Sequence, residues 1–164
     1  MRALKILALI LMPLASLAAC EKSSDAATSG SYDTSTDSNK RFLADYAARS
    51  GVTKTASGLM YRSIKSGSGP TVQKDRDFVT VYYKGALISG KVFDQTKPEE
   101  PATFQAGGLI PGWVEALKLM KTGDTWEIVV PADLAYGSEG AGTDIPPDQA
   151  LVFTMTLAKV EYAP

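Results

Sequence analysis

The chain has 164 residues, enough for one ordinary domain plus tails. Its 17 basic and 18 acidic residues give a formal net charge of −1 without any Lys/Arg-rich run, which argues against a nucleic-acid partner. There is no histidine and one cysteine, Cys20, so His-dependent triads, His-ligated zinc and an intramolecular disulfide are excluded; any chemistry runs on carboxylates, hydroxyls, amides and apolar shape, and no cofactor or metal is expected.

Arg2 and Lys5 precede an apolar run from Ile6 to Leu17, broken by Pro13 and followed by small residues up to Cys20. This is the layout of an export signal over residues 1–19. The run is shorter than the roughly 20 apolar residues of a spanning helix. Leu17-Ala18-Ala19-Cys20 resembles the lipobox of bacterial lipoproteins, which implies cleavage before a lipidated Cys20, the palmitate type of anchor. The alternative is ordinary cleavage that leaves a free thiol. Glu21 is not the aspartate associated with inner-membrane retention, so the expected address is the outer membrane with the domain in the periplasm.

Glu21 to Ser38 is built of Ser, Thr, Asp, Ala and Gly with one aromatic, Tyr32. Such a composition buries too little apolar surface to offset ordering, and a flexible tether is expected over 20–38, with an r.m.s. span of roughly 23 Å. Asn39 to Ser50 places Phe42, Leu43 and Tyr46 at helical spacing before Gly51, predicting a short amphipathic helix, followed by a linker to residue 54. This helix is too short for a dimerisation arm, so a monomer is expected.

From Gly58 onward the pattern is that of strands. Leu59–Lys65, Asp77–Lys84, Thr125–Pro131 and Ala150–Val160 are rich in β-branched and aromatic residues between Gly, Ser, Pro and Asp turns. In the last of these Leu151, Phe153, Met155 and Leu157 alternate with Val152, Thr154, Thr156 and Ala158, the signature of an antiparallel strand lying on a core. One helix is predicted over Ile110–Lys121, with Pro111 early, Gly123 beyond its end, and Trp113, Ala116, Leu117 and Met120 on one stripe. Antiparallel strands with one helix, and no βαβ alternation, indicate an α+β domain over 55–164.

The segments Val81-Tyr82-Tyr83-Lys84-Gly85, Gly90-Lys91-Val92-Phe93-Asp94, Ile110-Pro111-Gly112-Trp113, Ala135-Tyr136-Gly137 and Ile145-Pro146-Pro147 before Leu151-Val152-Phe153 resemble, in order and spacing, the signatures of FKBP-type peptidyl-prolyl cis/trans isomerases. The resemblance covers about Thr55 to Val160, and Gly51 to Tyr61 is similar to the bacterial macrophage-infectivity-potentiator branch. It implies a twisted antiparallel β-sheet wrapped around one short α-helix. It also implies a substrate pocket lined by Tyr83, Phe93, Asp94, Leu109, Ile110, Trp113, Tyr136, Ile145 and Phe153, with Trp113 as floor and Asp94, Tyr136 and Phe93 as the catalytic group.

Taken singly, Trp113, Tyr83 and Phe153 read as plain core, Asp94 as a turn former and Tyr136 as a loop aromatic. Their joint placement in five matching segments is what favours a pocket. Phe93 to Phe104 is shorter than in prototype members and lacks the arginine that often follows Phe-Asp. Ala102 and Ala141 stand at positions that are aromatic and histidine elsewhere, so the rim departs from the pattern. The implied partners are proline-containing exported polypeptides, macrolide inhibitors, and the membrane through its lipid. The alternatives are a tethered chaperone or partner-binding module using the same pocket, and a surface-exposed adhesion scaffold.

Overall fold

The computed structural model describes residues 32–164, so the expected signal, Cys20 and the tether as far as residue 31 lie outside the described residues. Helix α1 (Thr36–Ala47) begins three residues before the expected start. The Ser35 side chain caps it by accepting from the Ser38 N–H, and Asp37 sits in the first turn, where helix dipole and carboxylate attract. Thr36–Ser38 therefore belong to the helix and not to the tether, and Tyr32 stands edge-on to Phe42 at 5.1 Å while its hydroxyl donates to Asp45. The Ser/Thr/Asp composition that reads as linker is also that of a helix N-terminus. Gly51, expected as the cap, lies in the turn after the helix with φ 76°.

Seven strands follow: β1 (Thr53–Lys54), β2 (Met60–Lys65), β3 (Phe78–Leu87), β4 (Val92–Gln95), β5 (Ala102–Gln105), β6 (Thr125–Val130) and β7 (Leu151–Glu161), with helix α2 (Pro111–Leu119) between β5 and β6. They form one antiparallel sheet in the order β1-β2-β6-β7-β3-β4, with β5 also paired to β3. The four predicted strands correspond to β2, β3, β6 and β7. The short strands β1, β4 and β5 complete the sheet.

Strand periodicity divides the core in two. Val79, Val81, Leu87, Trp126, Ile128, Val130, Leu151, Phe153, Met155 and Leu157 cluster with Trp113, Ala116 and Leu117 of α2 and with Met120 just beyond its end. Met60, Ile88, Val129 and Ala150 cluster with Phe42 and Tyr46 of α1. Each fully buried large apolar side chain contributes roughly 1.5–3 kcal/mol, so the alternating β7 residues and the α2 stripe are the main source of stability. The sheet thus carries a helix on each face. The Tyr46 hydroxyl donates to Glu127 Oε1, which also accepts from Arg62, and ties α1 to the strands beneath it.

A buried carboxylate anchors the far end of β3. Asp77 is fully buried; its Oδ2 accepts the N–H groups of Gln73 and Lys74, and its Oδ1 accepts that of Ala163. Burial alone would raise its pKa, but the three backbone donors outweigh it and hold the carboxyl below the ordinary value of 3.8. A depressed folded pKa means that this contribution is present above the unfolded value and is lost as pH falls through the folded one. Thermal unfolding followed by circular dichroism should show the midpoint dropping below about pH 4. Asp77→Asn should flatten that dependence while lowering the midpoint at neutral pH. An unchanged acid slope in the variant would assign the acid lability to other groups.

Candidate active site

The side chains of one cavity come from four separate strands of the sheet, from the start of α2 and from the loop between β6 and β7. Pro111 at the first turn of α2 fixes the entry of the helix. Gly112 lets that turn approach β6 closely, since a Cβ there would lie 2.5 Å from Val130 Cγ1. Trp113 is thereby pressed under the cavity, 4% exposed.

Three aromatic rings stand roughly edge-on around the indole: Tyr83 at 5.0 Å and 81°, Phe153 at 5.1 Å and 81°, and Phe104 at 6.3 Å and 79°. Phe93 meets Phe153 at 5.7 Å and 90°. T-shaped pairs of this kind contribute about 0.5–1.5 kcal/mol each beyond area burial, and they hold the walls at fixed angles to the floor. Phe93 can stand close to Phe153 because Gly85, between them on β3, has no side chain.

The cavity has a volume of about 170 Å³ and is lined by Tyr83, Phe93, Asp94, Phe104, Leu109, Ile110, Trp113, Tyr136 and Phe153. The structure therefore brings together eight of the nine residues expected to line it. Ile145 is not in the lining: it exchanges two backbone hydrogen bonds with Ala141 and is buried, 6% exposed, in the same α2-side core as Trp113 and Phe153. Phe104, absent from the expected set, takes a place in the wall. Its strand β5 has no fully buried residue, only half-buried Ala102 and Phe104 alternating with exposed Thr103 and Gln105, and it exists because β3 offers it an edge.

The polar groups sit at the mouth. Asp94 lies on β4 opposite Gly85, and its Oδ2 accepts the Tyr83 hydroxyl at 2.6 Å. Burial raises the Tyr83 pKa above the ordinary tyrosine value, and the hydrogen bond and charge of Asp94 raise it further, as does Tyr136. Tyr83 thus keeps its proton well into alkaline solution and remains a donor to Asp94. Thr96 fastens the same edge by exchanging side-chain hydrogen bonds with the Tyr83 backbone. Lys97, the first cation after the Phe-Asp pair in the sequence, is engaged by Glu100 at 3.0 Å, and Lys91, just before the pair, is bound to Asp144 at 2.9 Å. Tyr136 is 40% exposed on the loop between β6 and β7.

Trp113 Nε1 is a buried donor without a protein hydrogen-bond partner. Native structures carry few such atoms, and where they occur a functional site is a common place for them. No group of His, Cys, Asp and Glu among the described residues could hold a metal ion. The arrangement offers a small aromatic recess with a carboxylate and two tyrosines at its entrance. It suits binding and distortion of a substrate better than bond cleavage.

A family profile described as FKBP-type peptidyl-prolyl cis-trans isomerase matches residues 69–158, and one described as the domain amino-terminal to it matches residues 14–62. The chain is 48% identical over 123 residues to the Outer membrane protein MIP of Legionella longbeachae, covering 74% of this chain and 52% of that protein. It is 46% identical over 121 residues to the FKBP-type 22 kDa peptidyl-prolyl cis-trans isomerase of Escherichia coli, covering 73% and 58%. Among solved structures, FkpA from Escherichia coli superposes with a TM-score of 0.73 at 41% identity, covering 78% of this chain and 60% of that one. A peptidyl-prolyl cis-trans isomerase from Pseudomonas syringae gives 0.72 at 38% identity, covering 77% and 92%. The chain spans about half the length of the curated relatives it matches.

Proposed function

Because this chain belongs to the FKBP-type peptidyl-prolyl cis-trans isomerase family, we propose that its aromatic cavity binds a proline ring and lowers the barrier to rotation about the preceding peptide bond. The observation that carries this reading is the recess itself: Trp113 under three edge-on rings, with the Tyr83–Asp94 pair at its mouth.

Amide resonance sets a barrier of roughly 18–20 kcal/mol, and no bond has to break. In the twisted state the carbonyl and the proline nitrogen are no longer conjugated. The amide is then less dipolar and fits an apolar recess better than the planar form does, which is the differential binding that catalysis needs. Tyr136 and the Ile110 N–H hold substrate carbonyls, and Asp94 acts electrostatically beside the carbonyl that rotates. About 4 kcal/mol of such preference gives roughly a thousandfold acceleration. The decisive measurement is the cis-to-trans rate of a Leu-Pro or Phe-Pro peptide with the purified protein beside Phe93→Ala. Acceleration that the variant loses supports the reading. A folded wild type without acceleration would leave a binding module, and suppression of client aggregation would then be its expected property.

The substrates on this reading are proline-containing exported polypeptides, met by a monomer tethered through lipid on Cys20 to the envelope, with macrolides as candidate inhibitors. A relative bearing the name outer membrane protein supports an envelope location, and no described helix is long and apolar enough to cross a membrane. Cys20→Ala should move the protein from the membrane to the soluble fraction on cell fractionation. Persistence in membranes would remove the lipid from the account.

A further inference from the structure

We propose that Asn39 and Gln149 form a lock that mounts the Tyr136 arm of the pocket on helix α1, making both of them positioning residues for a side chain they do not touch. The inference rests on the proposed role of Tyr136.

The lock is a buried pair of amides, Asn39 5% and Gln149 3% exposed. Asn39 stands on α1 with Phe42 and Tyr46, and Gln149 is next to Ala150; these three neighbours belong to the α1-side apolar cluster. Every amide group in it is used. Asn39 Nδ2 donates to Ser35 O at 2.9 Å and to Gln149 Oε1 at 3.3 Å, while its Oδ1 accepts the Ala150 N–H at 2.8 Å. Gln149 Nε2 donates to Thr34 O and to Pro147 O, both at 2.9 Å. The Ala150 N–H admits only an acceptor, so it fixes which way Asn39 faces, and Asn39 then fixes Gln149. Apolar residues would fill the same space without the desolvation of two amides. A fully satisfied polar pair instead specifies one geometry.

That geometry is passed along the loop that carries Tyr136. Asp148, beside Gln149, is the one non-glycine among the described residues with a positive φ, 58°. Its N–H donates to Gly137 O at 2.9 Å, and Gly137 directly follows Tyr136. The ring of Tyr136 is 40% exposed and is not clamped by core packing. The place of its hydroxyl therefore depends on the loop backbone, and the far end of that backbone is held by Gln149 on Thr34 and Asn39. Residues on and before α1 thus reach the pocket through hydrogen bonds joined by two peptide links, Asp148–Gln149 and Tyr136–Gly137.

The test is a double-mutant cycle on the full chain, using peptide isomerisation resolved into kcat and KM. Gln149→Met keeps the shape and removes the amide. A group that holds a substrate carbonyl in ground and transition states alike shows itself in KM. We expect Gln149→Met to raise KM about threefold to fivefold with kcat within about twofold, and to add less than about 1.5-fold once Tyr136 is already phenylalanine. Asn39→Asp, which keeps the acceptor for Ala150 and loses the donors, should act in the same direction and carries the cycle if Gln149→Met does not fold. An equal change in KM with and without the Tyr136 hydroxyl, or no change, overturns the lock. If Tyr136→Phe alone leaves KM unaltered, it is the role of Tyr136 that fails. Amide exchange then decides the lock by itself: faster exchange at Asp148 in Gln149→Met supports it, and unchanged exchange overturns it.

Discussion

Asp94→Leu is expected to lower kcat/KM for a Leu-Pro peptide by about tenfold to thirtyfold, a loss of about 1.4–2 kcal/mol of transition-state stabilisation. Asp94 is held on β4 by pairing opposite Gly85 and by the 2.6 Å hydrogen bond from Tyr83, so its carboxyl does not have to be oriented at the moment of reaction. Asp94 is exposed at the mouth, and a charge oriented in advance acts on the rotating amide without the reorganisation that solvent dipoles would need. Leucine fills a similar volume and removes the charge. The Tyr83 ring also stays in the wall, where it packs on Trp113, so the expected loss is in rate and not in folding.

The companion variant is Tyr83→Phe, which keeps the ring and frees the carboxylate, with an expected loss of about threefold. The two together should cost little more than Asp94→Leu alone, because both act through one hydrogen bond. The pH dependence follows from the raised pKa of Tyr83. A raised value keeps the phenol protonated below and somewhat above its ordinary pKa of 10.0, and the donor is lost only as pH rises through the folded value. Activity should therefore be level from neutrality to about pH 9. Wild-type activity in Asp94→Leu would remove the carboxylate from the mechanism and leave the apolar recess to act alone.

What the sequence discloses about this molecule follows from where the apolar residues stand. The α2 stripe of Trp113, Ala116, Leu117 and Met120 and the alternation along β7 are burial patterns with a period, and burial is what holds those elements in place. β4 and β5 have no such pattern. Each is four residues long and mostly exposed or half-buried, and each exists because β3 presents an unpaired edge. The start of α1 hid for the opposite reason, because Ser38 and Asn39 are buried polar residues whose partners lie 110 residues away or at the helix cap.

The same logic separates the pocket residues. Trp113, Tyr83 and Phe153 sit on elements with a period and could be placed by counting along them. Asp94, Tyr136 and Ile110 came only from resemblance to a family, since nothing local distinguishes a mouth carboxylate from a turn former. Ile145 is likewise expected from resemblance, but it exchanges backbone hydrogen bonds with Ala141 and its side chain is buried in the core, outside the cavity lining. Phe104 was visible as an aromatic but not as a wall, because its place depends on the pairing of β5 with β3.

The largest loss from the smallest change is expected at Gly85. A Cβ added there would lie 2.7 Å from Phe153 Cε1 and 2.8 Å from Phe93 Cζ, distances that real Cβ atoms essentially never show. Gly85 is buried on β3, paired with Asp94 on one side and Phe153 on the other, so the backbone cannot move aside without disturbing both walls. The rings must yield. If Phe93 swings out, the recess loses a wall; if Phe153 moves in, it presses on Trp113, only 5.1 Å away. Overpacking of this kind costs about 1–3 kcal/mol of stability, which a domain of this size survives. Activity should fall further than stability does, by about thirtyfold or more, because displacing a catalytic wall by even 1 Å can cost about a hundredfold in rate. Gly108→Ala is the control, since nothing lies within 4 Å of a Cβ there. Gly85→Ala should cost less in a Phe93→Ala background than in the wild type, as the smaller side chain removes one of the two clashes and leaves that with Phe153. A Gly85→Ala protein with wild-type kcat/KM would mean that the Phe93–Phe153 wall takes no part in the reaction, and the recess would then have to act through Trp113, Tyr83 and Asp94 alone.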